Sequence, residues 1–206
     1  MSQIFDELIT KGVRSGNIPS RTQEARDWYR LAARGKAKVS ENKLLRESKD
    51  RMTSSPKIGS MYLFMYDPKH KDTLPYYDRL PLIFPIDHAK GGFYGINFHY
   101  LPLVLRAKLM DALYDIVNNT KYDETTKLKI SYRVLKNLAK AKYFKPCIKH
   151  YLIDHTRSQF MYIYPSEWDI ALFLPLARFE KRTANRVHAD SRRIITTEKS
   201  EPFYNI

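Results

Sequence analysis

Apolar residues recur at three- and four-residue steps towards both ends of the chain and alternate through its middle, so helices are expected to flank a β-rich centre. Ile4, Phe5, Leu8 and Ile9 have helical spacing and stop at Gly12 and Gly16, which predicts a short first helix. Ser20 with Gln23 three positions on resembles a capping box for RTQEARDWYRLAARG, and Gly35 closes that second helix. Trp28, Tyr29 and Leu31 supply its apolar contacts, while Arg21, Arg26, Arg30 and Arg34 recur every four or five positions and predict one exposed strip. Residues 36–57 are highly charged with few large apolar side chains. They are expected as a solvent-facing helix, or as an extended arm that orders on a partner.

The pattern then changes. Met61–Tyr66 reads as a strand, followed by the Asp67-Pro68 turn and a polar loop through Thr73. Leu80–Ile86 and Phe93–His99 read as two strands joined by DHAKGG, where Gly91-Gly92 supplies the positive-φ positions of a hairpin. Pro81 and Pro85 confine the first of these strands to an edge or a bulge. Pro102 suits the first position of a helix whose core stripe is Leu103, Leu105, Leu109, Leu113 and Ile116. Tyr122-Asp123 opens another, with Leu128, Tyr132, Leu135 and Leu138 inward and Lys127, Lys129, Arg133, Lys136 and Lys140 mostly outward. A short helix is expected from Pro146, a strand over Ser158–Tyr164, a helix in SEWDIALF capped by Ser166 and ended by Pro175, and a last helix around Asn185–Ile195. The fold class is therefore α+β: a small antiparallel sheet or barrel with inserted helices and basic helical N- and C-terminal arms. The implied division is a basic helical arm over 1–57, a core domain over 58–177 and a basic tail over 178–206.

With 206 residues, 43% of them hydrophobic and 13% aromatic, one domain can bury a substantial core. Charge sharpens the picture. The net charge is +14, and it is uneven: residues 1–60 carry 13 Lys/Arg against 7 Asp/Glu, and residues 121–160 carry 10 against 3. The aromatic centre, Met61 to Leu103, is nearly balanced. A neutral core with cationic flanks points to a polyanionic partner, nucleic acid above all. Cys147 is the only cysteine, which excludes an intramolecular disulfide and multi-cysteine zinc. The N-terminal MSQIFDELITKG starts an amphipathic helix and lacks a signal-peptide core, and no run has the length of a membrane span. A soluble protein made in a reducing cytoplasm, with no membrane partner, is expected.

Catalytic chemistry is weakly signalled. His70, His88, His99, His150, His155 and His188 form no metal-ligand pair with a carboxylate at helical or strand spacing, so neither a metal nor a cofactor is expected. Cys147 with His150 is a poor nucleophile–base pair. A metal-dependent nuclease would need clustered carboxylates; Asp67, with Lys69 and the neighbouring Asp72, Asp78 and Asp87, is the nearest arrangement, though Asp is favoured in such turns for backbone capping alone. Gly91-Gly92-Phe93-Tyr94-Gly95 lacks the lysine and helix of a phosphate-binding loop. Tyr76, Tyr77, Phe93, Tyr94, Phe98 and Tyr100 could stack bases, but a neutral segment grips phosphate poorly, and core packing is preferred. Tyr76, Tyr77, Phe93 and Tyr94 are the candidates for a protein-docking surface. Phosphate contacts are assigned to Arg21, Arg26, Arg30 and Arg34; to Lys136, Lys140, Lys142 and Lys145; and to Arg178, Lys181, Arg182 and Arg186.

The phrases YDPKHKDTLPYYDRLPLIFPI, GGFYGINFHYLP, LRAKLMDALY, AKYFKPCIKHYL and YPSEWDIALFLP resemble a virion protein of T-even-type contractile-tailed phages and their marine relatives. The family most similar is that of the DNA-end protectors, head-completion proteins associated with the terminus of the packaged genome. The likeness covers about residues 2–195. It implies a non-enzymatic protein of the virion, multimeric within the particle, without cofactor or catalytic residues. Such a protein binds the end of double-stranded DNA, shields it from host exonuclease and helps prepare the filled head for tail joining. Its protein partners would lie in the portal, neck, tail or baseplate. The alternative is a baseplate, neck or tail component acting through its aromatic centre; a metal-dependent nuclease is the third reading.

Overall fold

A computed structural model describes residues 3–19, 21–117, 120–121, 123, 126, 133, 137 and 142–197. Six strands form one antiparallel sheet: β1 (Met52–Thr53), β2 (Met61–Leu63), β4 (Leu82–Ala89), β5 (Gly92–Asn97), β6 (Ile148–Leu152) and β7 (Phe160–Ile163), in spatial order β1-β7-β2-β4-β5-β6. The sheet is open, with β1 and β6 at its edges. Two short strands, β3 (Tyr77–Asp78) and β8 (Phe179–Glu180), pair separately. Among the described residues the α-helical elements with defined bounds are α1 (Gln3–Arg14), α2 (Gln23–Arg34), α3 (Glu41–Glu47), α4 (Leu103–Val117), α5 (Trp168–Phe173) and α6 (Ala184–Thr197). Mixed α+β architecture, with α4 inserted between β5 and β6, agrees with the sequence pattern; the sheet does not close into a barrel. Among the described residues, no helix is long and apolar enough to cross a membrane.

Alternation along the strands gives the sheet two buried faces. Met61, Leu63, Leu82, Phe84, Ile96 and Met161 point into the main core beneath the helices. Tyr62, Phe64, Ile83, Phe93, Tyr151 and Phe160 form a second cluster on the opposite face. Phe64 lies 4.7 Å from Phe160 and 5.4 Å from Tyr151 between ring centroids, and Phe93 stacks on Tyr151 at 5.6 Å. These tilted, edge and offset arrangements suit the ring quadrupoles. The aromatic density of the centre is thus mostly core, as preferred from its neutrality.

The β4–β5 hairpin turns at Lys90-Gly91, where Gly91 has φ +73°. At Gly92 a Cβ would stand 1.8 Å from the Tyr151 carbonyl oxygen, so only glycine lets β6 approach β5 there. β4 is interior, with a register shift between Pro85 and Asp87. Of the two placements that proline allows, the bulge is the one realised.

The N-terminal segment packs onto the main core. Phe5, Leu8, Tyr29, Ala33, Leu44 and Leu45 are all buried in the main core. α3, expected to face solvent, is capped by Ser40 and buries Leu44 and Leu45. Thr22 caps α2 by accepting from Ala25 N, and Gly35 closes the helix as expected; Ser20, expected to begin the capping box, lies outside the described residues. Residues 142–147 form a 3-10 turn, and the chain from Ile148 joins the sheet as β6, correcting the helix expected from Pro146. The helix expected from Tyr122 falls largely outside the described residues. α4, α5 and α6 lie where the pattern places them.

Candidate nucleic-acid interface

α6 carries the clearest cationic face. Val187, Ser191 and Ile195, four apart, are buried, and Arg186, Arg192 and Arg193 are exposed on the other side. Thr183 caps the first turn, its hydroxyl accepting from Arg186 N at 3.4 Å. Arg182, just before the helix, is exposed as well.

Two devices fix α6 to the rest of the fold. Lys181, in the left-handed region at φ 68°, donates all three ammonium hydrogens to the carbonyls of Lys71, Asp72 and Leu74, at 2.6, 2.9 and 2.9 Å. His188 Nε2 donates to the His99 carbonyl at 2.8 Å, and burial holds its imidazole below the usual range. Arg106, fully buried, reaches the same carbonyl at 3.1 Å and those of Leu101 and Leu172 at 2.8 Å. Burial brings the Arg106 guanidinium down to about 10, so it stays charged at neutral pH.

Behind these contacts lies Asp78, fully buried. Its carboxylate accepts from Leu80 N and Arg178 N at 3.1 Å, from Asn97 Nδ2 at 3.1 Å and from His99 Nδ1 at 2.6 Å. Burial opposes ionisation, but His99, Asn97 and the Arg178 amide together hold the carboxyl below the ordinary carboxylate range. His99 is pushed down by burial against the pull of Asp78. An ionised Asp78 therefore accepts from a neutral imidazole protonated at Nδ1.

A cavity of about 250 Å³ opens beside this group, lined by Tyr66, Pro68, Leu74, Tyr76, Tyr77, Asp78, Tyr100, Lys149, His150 and Tyr151. Lys149 Nζ lies over the Tyr100 ring, 4.2 Å from its centroid, and burial pushes its ammonium down. Tyr76 and Tyr100 face each other with centroids 6.0 Å apart. The His150 ring packs against Tyr94, which is 41% exposed and outside the cavity lining. Arg182 and Arg193 of the basic face are near enough to draw the Tyr76 phenol down, while burial and Asp190 raise it. The cavity and the α6 face are electrostatic neighbours.

The sequence-assigned phosphate contacts divide sharply. Arg26 and Arg30 do not belong to an exposed strip. Arg30 is buried and donates to Asp111 at 2.6 Å, to Asp169 at 2.7 Å and to Asp27 at 3.2 Å; Arg26 pairs with Asp111 at 3.2 Å. Burial opposes the charge on Arg30, but these carboxylates more than restore it. Arg21 and Arg34 remain at the surface. Arg178 is committed to the carbonyls of Pro175, Ala177 and Val39 and to Glu41. Lys181 is the loop clamp. Lys145 is half-buried; Lys136 and Lys140 lie outside the described residues, as does the side chain of Lys142. Arg182 and Arg186 are exposed as expected.

Among the expected docking aromatics, Phe93 is buried in the second core, Tyr76 and Tyr77 line the cavity, and Tyr94 alone is exposed. Lys149, Arg192 and Arg193 were not singled out from sequence. The two arginines follow Arg186 by six and seven positions, a legible helical repeat, whereas nothing local marks Lys149 on its strand.

The carboxylates considered for a nuclease do not converge. Asp67 pairs with Lys71 at 3.1 Å and reaches Arg157 at 3.5 Å, while Asp78 is saturated in the interior. No group of three His, Cys, Asp or Glu side chains that could hold a metal ion occurs among the described residues. Burial pushes the Cys147 thiol up to about 12, far from a reactive thiolate.

Neither a curated protein nor a solved structure matches the chain. A family model described as the phage T4 terminal DNA protecting protein matches residues 26–193, a span that takes in the buried arginine network, both sheet faces, the cavity and most of α6. The chain belongs to the family of the phage T4 terminal DNA protecting protein.

Proposed function

We propose that this chain is a virion protein that binds the end of packaged double-stranded DNA and shields it, without chemistry of its own. Membership in a family of DNA-terminus protectors carries the reading. The exposed arginines of the C-terminal segment supply its physical basis: Arg182, Arg186, Arg192 and Arg193 are exposed on or just before α6, which the Lys181 clamp and the His188 contact tie to the fold. Cations on a helix neutralise phosphates and release counterions whatever the base sequence, which a genome terminus requires. Arg21 and Arg34 extend the same chemistry on α2. Contacts with portal, neck or tail proteins, assembly as a multimer and help in completing the head for tail joining belong to this proposal.

The test compares a linear duplex with a covalently closed circle of the same sequence at several salt concentrations. Tighter binding to the linear form, weakening steeply with salt, together with protection of its ends from a processive exonuclease, is the expected result. Equal affinity for line and circle would remove end protection from the reading, and no binding at low salt would sink it altogether.

A further inference from the structure

The basic face of α6 accounts for affinity to any duplex, but cations on a helix do not distinguish an end from an interior. The cavity beside it has what that distinction needs. Tyr66, Tyr76, Tyr100 and Tyr151 wall it with aromatic rings, and rings accept any base by stacking. Lys149 brings a cation into the wall with no carboxylate partner among the described residues. The cavity's own carboxylate, Asp78, is engaged by four hydrogen bonds, one of them from His99. A desolvated ammonium without a counter-ion is electrostatically incomplete, and an anion is the natural partner. Arg182 and Arg193 act on Tyr76 in the cavity lining, alongside the carboxylate of Asp190, so the cationic segment and the cavity are close together. The volume, about 250 Å³, is slightly below the roughly 300–1,000 Å³ of drug-sized ligand sites, the scale on which a base can be received.

We propose that this cavity receives the terminal nucleotide of a DNA strand, its base among the tyrosine rings and its phosphate against Lys149. The inference rests on the end-binding reading and supplies its selectivity. Extruding a nucleotide from within a duplex breaks its pairing and stacking on both sides, at a cost of a few kcal/mol. A terminal nucleotide is stacked on one side only and has one strand neighbour, so the same insertion is easier at an end. Once inserted, its phosphodiester is sequestered from an exonuclease, which links the cavity to shielding as well as to recognition.

The experiment uses the full chain with deoxyadenosine 5′-monophosphate, a 5′-phosphorylated linear duplex bearing one unpaired 5′ nucleotide, and a closed circle. Lys149→Met keeps the length of the side chain and removes its charge; Tyr76→Leu keeps apolar volume and removes a stacking face. Thermal unfolding verifies that each variant is folded. The mononucleotide is expected to bind the wild-type chain and compete with the linear duplex. Each variant should weaken mononucleotide binding and end preference roughly tenfold or more, on the scale of one lost base stack, while circle binding through α6 persists. End preference unchanged in both variants, or a mononucleotide that binds without competing with duplex ends, overturns the terminal-nucleotide assignment and leaves end binding intact. A wild-type chain with no preference for the linear duplex overturns the end-binding reading itself, and the assignment with it.

Discussion

His99 Nδ1 lies 2.6 Å from Asp78 Oδ2, with both side chains sealed from solvent. The pair joins segments far apart in the chain. Asp78 belongs to β3 and also accepts from Arg178 N, at the entry to β8, while His99 follows β5 and offers its carbonyl to His188 on α6 and to Arg106 on α4. One buried carboxylate therefore fixes the floor of the tyrosine cavity and, through the His99 backbone, the seat of the cationic helix. It is a positioning centre: its acceptors are saturated, and neither group is open to a substrate.

Replacing Asp78 by Ala strands the donors of His99, Asn97 and two backbone amides in the interior. Each buried donor left unsatisfied costs about 1–3 kcal/mol, so the four together lose on the order of 3–5 kcal/mol after partial relaxation. For a domain of this size that corresponds to a fall on the order of 10 °C in Tm. Calorimetry or denaturant unfolding measures it, and a variant within 2 °C of wild type would show that the network contributes little.

His188 makes a prediction about pH. Burial holds its folded-state pKa below the unfolded value of about 6.5. As pH falls through 6.5 the unfolded chain takes up the proton first, so stability declines until the folded pKa is passed. His99 acts with the same sign. Asp169 acts oppositely: burial pushes its carboxyl up to about 6, so the folded state binds that proton first as pH falls below 6. The clean readout is thus a difference between proteins. His188→Gln can still donate to the His99 carbonyl but does not titrate. The loss of unfolding free energy between pH 7.5 and 5.5 should be smaller in this variant than in the wild type; an equal or larger loss would contradict the assignment.

Periodicity made most of the fold legible. The apolar spacing of α1, the buried Leu109 and Leu113 of α4 and the turn at Gly91 follow from local spacing and turn chemistry. Gly92, by contrast, is not in the positive-φ region expected of it and serves the close approach of β6. The cationic segments with the quoted phrases pointed to DNA ends. What local pattern could not carry was pairing at a distance. Arg30 and Asp169 are 139 positions apart, yet they meet at 2.7 Å, and that meeting turns an apparent surface strip into an interior tie. Arg178 and Lys181 likewise read as tail charges but close on backbone carbonyls of residues 39 and 71–74. Ile148–Leu152 carries no strong alternation and becomes a strand because Gly92 lets it pair closely with β5. The cavity draws on three separate stretches of chain and has no signature in any one of them.

Arg30 and Arg21, equivalent by charge, should part company when mutated. Arg30→Ala leaves Asp111 and Asp169 without their main counter-ion in a mostly buried site, for about 3–5 kcal/mol of lost stability. Arg30→Lys should recover only part of it, because one ammonium cannot reproduce the guanidinium's separate bonds from Nε and Nη. Arg21→Ala, at the surface, should stay within about 0.5 kcal/mol of wild type and show its effect in duplex binding. Parallel unfolding curves for the Arg21 and Arg30 variants would refute the distinction.

Salt dependence counts the phosphates that the α6 face neutralises. The slope of log K against log salt falls by about 0.9 for each phosphate contact removed from B-DNA. Arg182→Ala and Arg186→Ala take exposed guanidinium groups from that face and should each flatten the slope by about one unit, with no comparable change in thermal stability. Lys181 is one residue from Arg182, but its ammonium is spent on the carbonyls of Lys71, Asp72 and Leu74. Lys181→Ala should therefore loosen the 71–74 loop, seen as faster amide exchange there, and leave the slope nearly unchanged when the chain is fully folded. A Lys181 effect on the slope as large as that of Arg182 would mean that the clamp opens on DNA and that its cation counts among the phosphate contacts.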